Sequence, residues 1–340
     1  MTIESQTSPL SAPAKRPFSS ALRFFQLFES LGVLVLLLIV ILLVSVVTPN
    51  FLRPQNLSSL AITAAIIAVP GLGMTLAIAV GGLDLSIGST QALTACIAAG
   101  LLSITNIPMT ITGTLLVGAL IGLINGLIIT RLRVPAFVAT LGMMSVLRGV
   151  ALLITNGQSV LIMGEDEFAR LNSAQILGIP VPFTIALIVL VVFYVLLRHT
   201  PFGRHICAIG GNEKAAQATG LNVDLVKVVV FILVGITAAL SGVMLAAQLM
   251  FVDGTLGVGL ELRAIAVSVL GGTSLAGGSG NLLGTLLASL LLSAINSALN
   301  ILKVPPFYQY LALGLLLIFA LALDTLRRAI IKRAVREVAQ

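Results

Sequence analysis

The sequence predicts an all-α, polytopic helical membrane protein with about ten transmembrane helices, and three observations point there. Of 340 residues, 58% are hydrophobic and only 9% are charged, where about 25% charged is usual for a soluble domain. The mean hydropathy is +1.14. The apolar residues come in unbroken runs near the ~20 residues that a spanning helix needs. A soluble fold of this size leaves roughly a quarter of its surface wet and has no way to hide so much apolar surface. A soluble enzyme and a disordered chain are therefore excluded. Cys96 and Cys207 are the only cysteines and make no disulfide framework. A porin-like barrel would alternate apolar and polar residues along its strands, and these runs do not alternate.

Ten apolar runs follow in order: 31–47, 60–80, 88–104, 110–130, 136–154, 183–197, 226–247, 263–276, 282–302 and 308–326. The second contains Pro70. The sixth is short, and the eighth is short and rich in Gly. The polar, basic, Ser/Pro-rich residues 1–26 are expected as a disordered cytoplasmic tail, 27–326 as the permeating membrane domain, and 327–340 as a basic interfacial extension of the last helix. The first run is too long for a typical signal-peptide core and reads as an uncleaved anchor.

Charge tests the count. With the N-terminus inside, most of the 19 Lys and Arg fall on one side: Lys15, Arg16 and Arg23; Arg131 and Arg133; Arg198, Arg204, Lys214 and Lys227; and the cluster from Arg327 to Arg336. Arg53, Arg170, Arg263 and Lys303 fall on the other side or at its edge, as does the acidic run Glu165, Asp166, Glu167. Lys and Arg collect in cytoplasmic loops, so both termini are expected in the cytoplasm and the protein in a bacterial inner membrane. This sorting also explains the formal charge of +7 without nucleic acid as a partner.

The most informative feature is a repeat. GGLDLSIGS at 81–89 returns as GGTSLAGGS at 271–279, so both copies read GGxxLxxGS at a constant offset of 190 residues. The matched set includes Gly81, Gly82, Gly88, Gly271, Gly272 and Gly278, with Asp84 and Ser86 facing Ser274 and Ala276. Glycine pairs break a helix and free backbone groups that lipid cannot satisfy. Paired Gly-interrupted segments in two halves are what transporters use to build a midplane site or a moving joint. The glycines also suit close helix packing, but duplication at one offset favours the transporter reading. Asp84 is costly in an apolar setting. It is expected to cap the third helix, pair with a cation or face water.

Other polar residues in or beside the runs are Asn125, Thr140, Arg148, Gln248, Glu261, Arg263, Asn296, Asn300 and Gln309. Asn125, Arg148, Glu261, Asn296 and Asn300 are candidates to line a path. Arg148 lies about 10 Å from the end of its run at 1.5 Å per residue, within reach of snorkelling, and asparagines also serve as interhelical glue. His199 and His205 lack metal-ligand spacing, and neither a metal nor another cofactor is expected. No GxxxxGK[ST] loop is present, and no run carries several ionisable residues for an ion relay. A transporter of this kind needs a partner motor. The basic loop offers a docking surface: Gly211, Asn212, Glu213, Ala215, Ala216 and Gly220 lie in a stretch that suits a short helix over 212–218, capped by Asn212 and stopped by Gly220.

At these residues a family resemblance enters. GGLDLSIGS (81–89), AIGGNEKAAQATGLN (208–222) and GLELRAIAVSVLGGTSLAGG (259–278) together resemble the permease subunit of bacterial ABC importers for monosaccharides, nearest the ribose type. The likeness runs over about 31–326. It implies that the segment from Glu213 through Ala215 and Ala216 to Gly220 contacts an ATPase subunit, often a tandem two-domain chain. It further implies a dimer of permeases, usually a homodimer, and a periplasmic sugar-binding protein that delivers the sugar. The chain would then have no enzymatic activity of its own. Arg263 stands where the family usually has Asp, beside Glu261, and a local Glu261–Arg263 pair is one expectation. The implied mechanism is ATP-driven import in which the two broken elements let helices rock. The alternatives are a permease for a nucleoside, inositol or a branched-chain amino acid, or a motor-free channel.

Overall fold

The computed structural model describes residues 18–48 and 50–305, and then 307–309, 311, 314, 315, 318 and 322. Residues 1–17, most of the tenth run and the 327–340 extension lie outside the described residues. Twelve helices are described, with two short two-stranded pairings. They are α1 (Phe18–Val47), α2 (Pro54–Ala79), α3 (Ile87–Leu102), α4 (Ile107–Arg131), α5 (Ala136–Thr155), α6 (Asp166–Ser173), α7 (Val181–His199), α8 (Pro201–Gly211), α9 (Glu213–Ala218), α10 (Val223–Leu249), α11 (Leu260–Leu270) and α12 (Leu282–Ile301). Strand β1 (Val160–Leu161) pairs antiparallel with β4 (Phe251–Val252), and β2 (Gln175–Ile176) with β3 (Ile179–Pro180).

Among the described residues, α2, α4, α5, α7, α10 and α12 are long and apolar enough to cross a membrane; Leu31–Val47 within α1, and α3, are shorter apolar helices. The protein is thus a polytopic helical membrane protein. Two expectations are corrected. Helix α1 begins at Phe18, so residues 18–26, expected within a disordered tail, are helical; Leu22, Phe24 and Phe25 continue the apolar sequence toward the N-terminus. The eighth run is not a span. Helix α11 has 11 residues, about 16 Å at 1.5 Å per residue, or half of a ~30 Å hydrocarbon core.

Helix α2 is the axis of the fold. It packs against α7, α10, α11 and α12, and is buried almost continuously from Ala64 to Ala79. A proline inside a helix removes the hydrogen bond to the carbonyl four residues back, here that of Ile66. The hydroxyl of Ser241 on α10 donates to the Ile66 carbonyl at 2.7 Å, and Gln91 Nε2 on α3 donates to Ser241 Oγ at 2.7 Å. This side-chain chain closes the gap left by Pro70 and binds three helices. A second buried polar seam joins α2 to α11 and α12: Ser268 Oγ donates to the Gly71 carbonyl at 2.9 Å, and Thr75 Oγ1 lies 2.8 Å from Thr285 Oγ1.

Helices α4 and α10 meet through Gly118, Gly122 and Gly126, spaced four apart. A Cβ at any of them would strike α10 at Gly235, Phe231 or Val228. Such small-residue stripes let helix backbones approach closely where no hydrophobic drive separates helix from lipid.

Candidate functional site: a glycine joint under the basic loop

Helix α2 closes in a Schellman motif: the Gly81 N–H donates to the Ile78 carbonyl at 2.9 Å and the Gly82 N–H to the Ala77 carbonyl at 2.8 Å. Gly81 takes φ +88°, a left-handed conformation cheap only for glycine. Helix α11 closes the same way, with the Gly272 N–H to the Val269 carbonyl and the Thr273 N–H to the Ser268 carbonyl, and Gly272 at φ +94°. The sequence repeat pairs Gly81 with Gly271. The structure instead pairs Gly81 with Gly272, one residue out of register, because Gly271 is still helical at the end of α11.

The two breaks touch. Gly278 in the second donates its N–H to the Ala79 carbonyl at 2.9 Å. Gly210, near the end of α8, is wedged between them: a Cβ there would strike the Ala79 carbonyl and the Gly278 nitrogen. Gly277 and Gly278, both at positive φ, abut Gly210 and Gly211 from the other side. Ser274 accepts a turn hydrogen bond from the Gly277 N–H through its carbonyl. Three chain segments far apart in sequence therefore meet on bare backbone.

From this wedge the chain passes directly into α9. The Asn212 side chain caps α9 by accepting from the Ala215 N–H at 3.1 Å, and Gly220 at φ +83° ends the turn, as the sequence suggests. Ala216 is the one buried residue of α9 and plugs into the core. Lys214, Ala215, Gln217 and Ala218 are exposed. Glu213 forms an ion pair with Lys227 on α10 at 2.7 Å, which sequence reading missed. Beside it a cleft of about 350 Å³ is lined by Gly81, Gly82, Arg133, Glu213, Lys227 and Phe231 among others. Cys207 on α8 is partly buried, and burial pushes its thiol pKa up, against the opposing pull of Arg198.

The polar residues of the first break form a compact network. Asp84 is 2% exposed, and its Oδ1 accepts from the Ser86 N–H at 2.8 Å and the Ser86 hydroxyl at 2.6 Å. Asn125 Nδ2 on α4 donates to Ser86 Oγ at 2.9 Å. Thr140 Oγ1 on α5 accepts from the Leu85 N–H at 3.1 Å. Among the described residues Asp84 thus neither pairs with a cation nor caps α3 through its first-turn amides; it fixes Ser86, which holds the N-cap position without a side-chain cap. Gly88 on α3 packs against Gly257 and the Glu261 carboxylate.

Arg148 and Glu261 meet a different element. After β4 the chain turns back along α5: Gly254 packs on Leu152, and Arg148 Nη1 donates to the carbonyls of Gly254 and Leu256, each at 2.6 Å. Gly257 then abuts Gly88 and Gln91 on α3. Gln91 is bonded to Ser241, which lies well inside the long apolar helix α10 (Val223–Leu249), about 12 Å from its end at 1.5 Å per residue, so non-helical backbone reaches between the spanning helices. Glu261 Oε1 accepts from the Gly259 N–H at 3.2 Å and forms no ion pair with Arg263, against the expectation of a local pair. This re-entrant loop was not foreseen; its signal is three glycines, Gly254, Gly257 and Gly259, within six residues. Asn296 and Asn300 join neither group. Asn300 accepts from Gln309 Nε2 at 2.7 Å, at the far end of α12. Among the described residues no cluster of metal-ligating side chains occurs.

Comparison with known proteins agrees with this architecture. A family model described as branched-chain amino acid transport system / permease component matches residues 56–321. The ribose import permease protein of Haemophilus influenzae is 40% identical over 293 residues, covering 85% of this chain and 90% of the relative. The L-arabinose ABC transporter permease protein of Azospirillum brasilense is 37% identical and covers 95% of both chains. The D-allose transport system permease protein of Escherichia coli K12 is 35% identical, over 93% of this chain and 96% of the relative. No solved structure matches. With a match over most of its length and relatives that span nearly all of it, the chain belongs to this family of membrane transport permeases.

Proposed function

We propose that this protein is the membrane-spanning subunit of an ATP-driven, binding-protein-dependent importer of a monosaccharide such as ribose. The ribose, arabinose and allose permeases that align along nearly the whole chain support the cargo class. The observation that carries the mechanism is the wedge of Gly210 between the two breaks. A motor that pushes on α9 moves α8, and α8 touches both breaks at once. The basic α8–α9 face is cytoplasmic and receives the ATPase on Lys214, Ala215 and Ala218. The opposite face, with Glu165 to Glu167, receives the loaded binding protein. Two copies form the path as a homodimer, and both termini are cytoplasmic.

Tight binding belongs to the delivering protein, since a permease that held sugar strongly would not release it. The test is uptake into proteoliposomes holding this chain, its ATPase and its binding protein, with labelled D-ribose, L-arabinose, D-allose and L-leucine. ATP-dependent uptake of a sugar supports the proposal. Sugar uptake without ATP would favour a motor-free facilitator, and uptake of leucine alone would favour the amino-acid cargo named in the family description.

A further inference from the structure

The re-entrant loop encloses one side of a cavity of about 240 Å³ between α2, α3, α10 and α11. Four polar side chains line it: Thr63, Gln91, Gln248 and Arg263. Gln91 is 1% exposed, and its amide nitrogen is committed to Ser241. Its carbonyl oxygen accepts no hydrogen bond among the described residues and lies against Gly257. The side chains of Gln248 and Arg263 likewise have no hydrogen-bond partner among the described residues, and both are only partly exposed. Partly buried amides and a guanidinium are costly without partners. Here three of them converge on one space at the depth where α11 begins.

We infer that this cavity is a transient binding site for a neutral monosaccharide on its way through the permease. The guanidinium has five N–H donors in a fixed fork, and Gln248 and Gln91 add amide donors and acceptors, a set that matches adjacent sugar hydroxyls. A carboxylate on the ligand is not required. Glu261 and Asp253 both act electrostatically on Arg148, and Glu261 stands two residues from Arg263 at the start of α11, so the region already holds two carboxylates beside its two guanidinium groups. Among the described residues no aromatic ring lines the cavity, so the stacking that makes sugar sites tight is missing and the ligand leaves readily. Non-helical backbone at membrane depth is tolerated where it borders such a space, and transporters place substrate sites at broken helices near the midplane. The inference rests on the sugar-importer reading.

The test uses the full chain in nanodiscs, open to reagent from both faces, with Cys96→Ser and Cys207→Ser and a reporter Gln248→Cys. A second reporter, Thr63→Cys on the opposite wall, covers the case in which the first does not fold. A water-soluble methanethiosulfonate reagent is expected to label either reporter. High concentrations of D-ribose, L-arabinose or D-allose are expected to slow labelling severalfold, and added Arg263→Met to abolish that protection while leaving labelling intact. Absence of labelling at both reporters, or rates unchanged by all three sugars, overturns the site. Stronger protection by D-gluconate than by any neutral sugar overturns the neutral class. ATP-driven sugar uptake alongside unprotected reporters removes this site alone, whereas protected reporters in an importer that takes up no sugar count against the functional proposal instead.

Discussion

The N–H of Gly278 donates to the carbonyl of Ala79 at 2.9 Å, so the two broken elements, about 200 residues apart in sequence, are hydrogen-bonded to each other through backbone alone. The carbonyls of a helix's last turn have no intrahelical partner. Helix α2 satisfies one of them with the other half of the molecule. Gly210 approaches the same two groups, which makes α8 the third member of one joint.

The network around Asp84 gives a stability prediction. Ser86→Ala removes the hydroxyl that bridges Asp84 and Asn125. It takes a hydrogen bond from Asn125, whose Oδ1 is already buried without a partner, and leaves its amide nitrogen only the interaction with Asp84. A cost of about 1–3 kcal/mol is expected. Asp84→Asn is expected to cost less, because the amide oxygen still accepts from the Ser86 N–H and a buried charge is removed. Thermal unfolding of the two purified variants orders them; Asp84→Asn as the more damaging change would assign Asp84 a role beyond this network.

Helix α9 predicts a contrast between adjacent alanines. Ala215 is exposed, and Ala216 is 5% exposed and packs into the core. Ala215→Trp is expected to leave the fold intact and block assembly with the ATPase. Ala216→Trp overfills the core, at about 1–3 kcal/mol or more, and lowers thermal stability itself. Co-purification with the ATPase and unfolding temperature separate the two outcomes.

Cys207 predicts a pH dependence. Its thiol pKa is raised by burial, so at a given alkaline pH less of it is thiolate than for an exposed cysteine, and the thiolate is the reacting form. In a Cys96→Ser chain, the alkylation rate of Cys207 is expected to rise at higher pH than that of glutathione. Coincident profiles would show that the α8 joint is open to water at rest.

Much of this was legible in the residues. The apolar runs place most of the described spanning helices to within a few residues, and Asn212 and Gly220 bound α9 as cap and stop. The GGxxLxxGS repeat locates both breaks but misses their register by one, because a glycine pair does not say which member ends the helix. The re-entrant loop was hidden for a different reason. Leu256, Val258 and Leu260 are as apolar as a span, and only their interleaved glycines distinguish the loop from the helix it leads into. The Gln91–Ser241–Ile66 chain depends on three helices meeting, and Pro70 was its one visible sign. Gly210 looked like part of a loop; its meaning lies in what it touches.

The coupling claim is tested most directly by comparing Gly210→Ala with Gly211→Ala in the reconstituted importer. A Cβ at Gly210 strikes both breaks, and one at Gly211 meets nothing within 4 Å. The account predicts that Gly211→Ala behaves as the parent. Gly210→Ala is predicted to assemble and hydrolyse ATP while sugar uptake falls by about tenfold or more, as expected for a strain of roughly 1–3 kcal/mol placed on the moving joint. Parental uptake per ATP in a folded Gly210→Ala importer would contradict it.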